Sequence, residues 1–208
     1  MYFRGNIMNN IILFGGTFDP IHHGHLHLAC AAAEQLNAVQ TLFLPAGEPY
    51  HKTTPRTPAE HRLAMATLAV ESYPDFAVSD CDIVRSGATY TYDTVQIFKQ
   101  LYPSAQLYWL LGSDSLLQLH TWHKWRDLVR HTRFAVAMRA GSSLAHTPRE
   151  LQSWLGAAVQ NGEVVLLNTS PPDISSTQIR HTLATGGDVS AWLPETVGEY
   201  IRQHRLYI

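Results

Sequence analysis

The chain has 208 residues and a formal net charge of −2, with 15 Lys and Arg against 17 Asp and Glu. The two signs are mixed along it, so no broad positive field gathers nucleic acid and anion binding has to be local. Two cysteines, Cys30 and Cys81, exclude a disulfide framework and a four-cysteine zinc site.

No apolar run approaches the roughly 20 residues that span a bilayer, and residues 1–10 lack the apolar core of a signal peptide. A cytoplasmic protein without membrane partners is expected. Residues 1–7 precede Met8 and read as an N-terminal extension, and residues 8–208 as a single α/β domain.

Ile11 to Phe14 reads as a buried strand and Leu26 to Leu36 as a helix. Between them lies Gly15-Gly16-Thr17-Phe18-Asp19-Pro20-Ile21-His22-His23-Gly24-His25. A glycine pair after a strand allows a sharp turn and brings backbone N–H groups close to an anion. The helix behind it adds unpaired N–H groups and the positive end of its dipole. His22 and His25 are three apart, so in a helical turn both rings face one side and point donors at the same place.

Thr41 to Leu44 is a second strand, followed by a loop over residues 47–58 in which Lys52 could reach a phosphate bound over the first loop. Thr57-Pro58-Ala59-Glu60 has the capping-box pattern and opens a helix through Val70. Phe76 to Ser79 and Asp82 to Val84 read as short extended pieces, and Tyr92 to Leu101 as a helix. Leu107 to Leu111 is a continuous apolar run, as in a strand covered on both faces. Gly112-Ser113-Asp114 follows it, where a carboxylate can accept both hydroxyls of a ribose.

Phe134 to Met138 is a further strand, ending before Arg139. Thr147-Pro148-Arg149-Glu150 repeats the capping pattern and opens a helix to about Val159. Val164 to Leu167 is the last strand, and short helices follow Ser175 and Pro194. Ser175, Ser176 and Thr177 can cap the first of these and leave N–H groups for an anion beside Arg180.

Strands alternating with helices predict a Rossmann-like, doubly wound, mostly parallel sheet with helices on both faces. Ligands bind such sheets beyond the carboxyl ends of the strands, where strand order reverses. Twelve histidines are present, but no cluster of Cys, Asp or Glu at ligand spacing accompanies the group at positions 22–27. No protein-held metal is expected.

Gly-Gly-Thr-Phe-Asp-Pro followed by His22, Gly24 and His25 resembles the signature of the nucleotidylyltransferase superfamily. Ile174-Ser175-Ser176-Thr177-Gln178-Ile179-Arg180 is similar to its second phosphate-gripping motif. Three further stretches resemble the bacterial nicotinate-mononucleotide adenylyltransferases: Pro49-Tyr50-His51-Lys52, Tyr90-Thr91-Tyr92-Asp93-Thr94 and Thr121-Trp122-His123-Lys124-Trp125. The tail from Leu193 to Tyr207 does so too. His123 stands where that family usually has tyrosine, and Ala140 where it has proline.

The resemblance implies transfer of the adenylyl group of ATP to nicotinate mononucleotide, with Mg²⁺ carried on ATP. It assigns His22, His25, Lys52 and Arg180 to catalysis. ATP would be held by Gly15, Gly16, Thr17, Phe18, His25, Gly112, Asp114, Arg139, Ser175, Ser176, Thr177 and Arg180. Nicotinate mononucleotide would meet His22, Lys52, Thr91, Tyr92, Trp122 and His123, with Trp122 stacked on the pyridine ring. Asp19 is expected to brace the loop. Nicotinamide mononucleotide and phosphopantetheine stay open as other acceptors.

Overall fold

A computed structural model describes residues 9–47, 57–138, 144, 147–169 and 172–208. Lys52, Arg139 and the expected extension over residues 1–7 lie outside the described residues.

The first half runs β1 (Asn10–Gly16), α1 (His23–Leu36), β2 (Ala38–Pro45), α2 (Ala59–Val70), β3 (Phe76–Val78), α3 (Cys81–Val84) and α4 (Thr91–Leu101). The second runs β4 (Gln106–Gly112), α5 (Ser113–Leu117), α6 (Trp125–His131), β5 (Arg133–Ala137), α7 (Arg149–Gln160), β6 (Val164–Leu167), α8 (Ser176–Ala184) and α9 (Glu195–Gln203).

The strands form one sheet in the order β3-β2-β1-β4-β5-β6, and every pairing among them is parallel. Alternation along the central strands explains their unbroken apolar runs. Ile12 and Phe14 of β1, with Tyr108 and Leu110 of β4, enter the core under α1, α2, α8 and α9. Ile11 and Leu13, with Leu107, Trp109 and Leu111, enter the opposite core under α4, α6 and α7. A strand buried on both faces has no polar side to show.

Strand order reverses between β1 and β4. β1 stays paired with β2 as far as Gly16↔Pro45, but its pairing with β4 ends at Leu13↔Trp109. The two strands part beside Gly15 and Gly16, at the switch point where doubly wound sheets take ligands.

Some local expectations are corrected. The glycine pair is the end of β1 rather than a loop after it, and α1 begins at His23, before Leu26. Residues 81–84 are helical, not extended. A helical turn brings Asp82 and Arg85 within 3.0 Å, an i,i+3 pair that no strand could form. Thr57 and Thr147 are not caps, because Pro58 and Pro148 occupy the N-cap positions of α2 and α7.

Candidate active site

The carboxyl end of β1 feeds a tight loop into α1. Phe18 sits at φ 51° and the Asp19–Pro20 peptide is cis. The Phe18 ring folds back into the core at 5.4 Å from Phe14 and meets the His25 imidazole edge-on at 5.0 Å.

His22 is the N-cap of α1 and His25 lies in its first turn. Their rings stack with centroids 3.8 Å apart and planes inclined by 28°. The His22 N–H donates to His25 Nδ1 at 3.2 Å. That bond makes Nδ1 the unprotonated nitrogen, so neutral His25 carries its proton on Nε2 and can donate it outward. His22 Nδ1 is buried and makes no hydrogen bond among the described residues. A side chain on Gly24 would lie 3.0 Å from the His22 ring, which is why a glycine separates the histidines.

Both imidazoles are held neutral. Burial, helped by the neighbouring positive charge of His23, pulls His22 down to about 4. Burial and then the nearby His22 charge put His25 well below the ordinary histidine range. At neutral pH the pair offers N–H donors without bringing two like charges together.

Gly15 has a packing role as well. A Cβ there would clash with the indole of buried Trp109 on β4. Arg62 of α2, 1% exposed, secures the far side of the loop. It donates to the carbonyls of Thr17 at 2.9 Å, Gly47 at 3.1 Å and Thr57 at 3.2 Å.

The second motif docks onto the first. Ser175 caps α8 by accepting from the Gln178 N–H at 3.2 Å. Ser176 donates to the Pro20 carbonyl at 2.9 Å, and Arg180 Nη1 donates to the Asp19 carbonyl at 2.6 Å. Arg180 Nη2 donates to Thr177 at 3.3 Å, while its Nε is buried without a partner among the described residues. A guanidinium with a spare buried donor, tied to the histidine loop, suits an anion. Tyr207, beyond α9, donates to Asp19 Oδ1 at 2.6 Å.

Gly112 and exposed Asp114 lie at the carboxyl end of β4, Asp114 in the first turn of α5. On the α4 side, Thr91 and Tyr92 open the helix behind its N-cap Tyr90. Tyr90 stacks on His123 at 4.3 Å, and Tyr92 meets the same ring edge-on at 6.4 Å. Lys124 Nζ sits 4.8 Å over the Tyr92 ring. Half-buried Trp122 packs against the α4–α7 core. The structure thus brings Tyr92 and His123 together, with Thr91 and Trp122 beside them in sequence.

A buried polar group that sequence reading missed ties α3 to α4. Thr94 donates to Asp82 Oδ1 at 2.7 Å, and Arg85 approaches both. Burial is the main cause that raises the Asp82 ionisation. No group of three His, Cys, Asp or Glu among the described residues is arranged to hold a metal ion.

Residues 13–182 match the cytidylyltransferase-like family. A protein of Neisseria meningitidis serogroup C, described as a probable nicotinate-nucleotide adenylyltransferase, is 58% identical over 200 residues, covering 96% of this chain and 99% of the relative. The chain belongs to the nicotinate-nucleotide adenylyltransferase family. A relative with the same description in Bordetella petrii is 42% identical, covering 96% of this chain and 100% of that protein. The fold is shared with the Plasmodium falciparum nicotinic acid mononucleotide adenylyltransferase complexed with NaAD, at a TM-score of 0.74 and 22% identity, covering 96% and 97% of the two chains. Membership makes this chain a nucleotidyltransferase, and the stacked histidines stand on the loop that carries the family's signature.

Proposed function

We propose that this chain transfers the adenylyl group of ATP to nicotinate mononucleotide, giving deamido-NAD and pyrophosphate in NAD biosynthesis. The observation that carries this reading is the pair of neutral, stacked histidines at the β1–β4 switch point, with Arg180 bound to the same loop. The ring contact of Tyr92 with His123, next to half-buried Trp122, supports a pyridine acceptor. Residues 8–208 act as one catalytic domain. The free thiols of Cys30 and Cys81 fit a reducing cytoplasm.

The 5′-phosphate of the acceptor attacks the α-phosphorus of ATP, and the pyrophosphate oxygen leaves with its electron pair. The attacking oxygen is already ionised, so no side chain has to remove a proton. The protein's work is alignment and charge stabilisation. His25 Nε2–H donates to an α-phosphate oxygen, and His22 bridges the two substrates. Gly15, Gly16, Thr17 and Phe18 line the cradle. Lys52 and Arg180 hold phosphates at its two edges, with Ser175, Ser176, Thr177 and Arg139 on the ATP side.

Gly112 and Asp114 take the ribose of ATP. The nicotinate ring lies on Trp122, with its carboxylate toward the N–H groups near Tyr92 and His123. Mg²⁺ carried on ATP would supply positive charge for the pyrophosphate oxygens and would need few protein ligands; among the described residues no group of three His, Cys, Asp or Glu could hold it.

Pyrophosphate release with ATP and Mg²⁺, compared across nicotinate mononucleotide, nicotinamide mononucleotide and phosphopantetheine, tests the reading. Strong preference for the first is expected. Preference for another acceptor would overturn the pocket assignment, and release with none of them would overturn the activity.

A further inference from the structure

Asp19 and Arg180 are neighbours that do not form a side-chain fork. Asp19 Oδ2 lies 4.0 Å from Arg180 Nη1, which instead donates to the Asp19 backbone carbonyl at 2.6 Å. The Asp19 side chain is 7% exposed, too buried to be satisfied by solvent. Its short bond comes from Tyr207, whose hydroxyl reaches Oδ1 from the other end of the chain.

A buried carboxylate that loses its donor seeks another, and the guanidinium 4.0 Å away is a better one than a phenol. Closing that gap would give a charge-assisted fork and neutralise Arg180. The arginine could then no longer offer its positive charge to a phosphate.

We infer that Tyr207 is a positioning residue of the adenylyl-transfer site: it holds the Asp19 carboxylate off Arg180 and so keeps the guanidinium available to the phosphates of ATP. This rests on the functional reading above in assigning Arg180 to phosphate. Burial, then the bond to Asp19, keeps the Tyr207 hydroxyl protonated far above the usual tyrosine range, so the donor persists at any working pH. The bond from the Leu206 N–H to the Ile201 carbonyl at 3.0 Å fixes the tail on the end of α9 and aims the ring.

The test is calorimetric ATP binding to the wild type, Tyr207→Phe, Arg180→Ala and the double variant, with steady-state turnover alongside. Tyr207→Phe is expected to weaken ATP binding about tenfold, the scale of one charge-assisted bond. In the Arg180→Ala background the same change is expected to cost less than about twofold, because coupled residues are not additive. KM for nicotinate mononucleotide should stay near the wild-type value in Tyr207→Phe.

Tyr207→Phe combined with Asp19→Asn removes the donor and the competing charge together. It is expected to fold and to recover most of the ATP affinity. Unchanged ATP binding in Tyr207→Phe, equal losses with and without Arg180, or no recovery with Asp19→Asn would each overturn the inference. A wild type that binds ATP but does not use nicotinate mononucleotide would sink the acceptor assignment, while the ATP measurements would still decide Tyr207.

Discussion

His22 and His25 stack at 3.8 Å with a backbone N–H of the first bonded to Nδ1 of the second, so one turn of α1 fixes both the tautomer and the aim of His25. The arrangement cannot carry two charges, since two imidazolium ions at that distance would repel, and burial disfavours even one.

Stability should therefore fall on the acid side. The His22 ionisation drops from 6.5 to about 4 on folding, so the unfolded chain binds more protons than the folded one in that window. The contribution is fully present above pH 6.5 and is lost progressively as the pH falls toward about 4. His25 shifts in the same direction. Thermal melts at pH 7.5, 6 and 5 are expected to show a declining Tm, with a shallower slope in His22→Asn. An equal slope in that variant would mean that other groups set the acid sensitivity.

His25→Ala removes the Nε2 donor proposed to face the α-phosphate. Turnover is expected to fall on the order of 10²-fold, as when one transition-state donor is lost, with a smaller change in KM for ATP. Stopped pyrophosphate assays on folded variant decide it, and near-normal kcat would remove His25 from the mechanism.

Arg62→Met leaves the carbonyls of Thr17, Gly47 and Thr57 without their donor. Buried acceptors that lose a charged partner cost about 3 kcal/mol or more in total. A lower Tm by calorimetry is the expected outcome. A variant that melts with the wild type would show that the carbonyls find other partners.

Trp122→Ala takes away the ring proposed to stack on the pyridine. KM for nicotinate mononucleotide is expected to rise by about 3- to 10-fold, the scale of one aromatic pair, with KM for ATP little changed. Equal effects on both substrates would make Trp122 a packing residue only.

Much of the candidate site's geometry was legible because it is built from neighbours in sequence. Glycines at a strand end, histidines three apart and hydroxyls ahead of a helix announce themselves in consecutive residues. The parallel sheet was legible from β1 and β4, whose unbroken apolar runs serve cores on both faces. Arg62 was missed although its position carried a signal: it shares the inward stripe of α2 with Met65, Ala66 and Ala69. An arginine on that stripe has to find acceptors, but which carbonyls it meets depends on packing across the fold.

The stretch from Asp82 to Val84 misled for a similar reason. Its residue types favour extension, while the buried contacts of Asp82 with Thr94 and Arg85 demand a turn. His123 departs from the family's tyrosine, yet its ring still fills the space between Tyr90 and Tyr92.

The bond from Tyr207 to Asp19 spans 188 residues of sequence. During synthesis β1, its loop and both histidines leave the ribosome long before the hydroxyl that settles Asp19. A growing chain can hold every signature residue of the first motif and still leave that carboxylate without its donor. The loop is therefore settled only after all six strands of the sheet have been made, so the donor that fixes Asp19 arrives once the framework around it is complete.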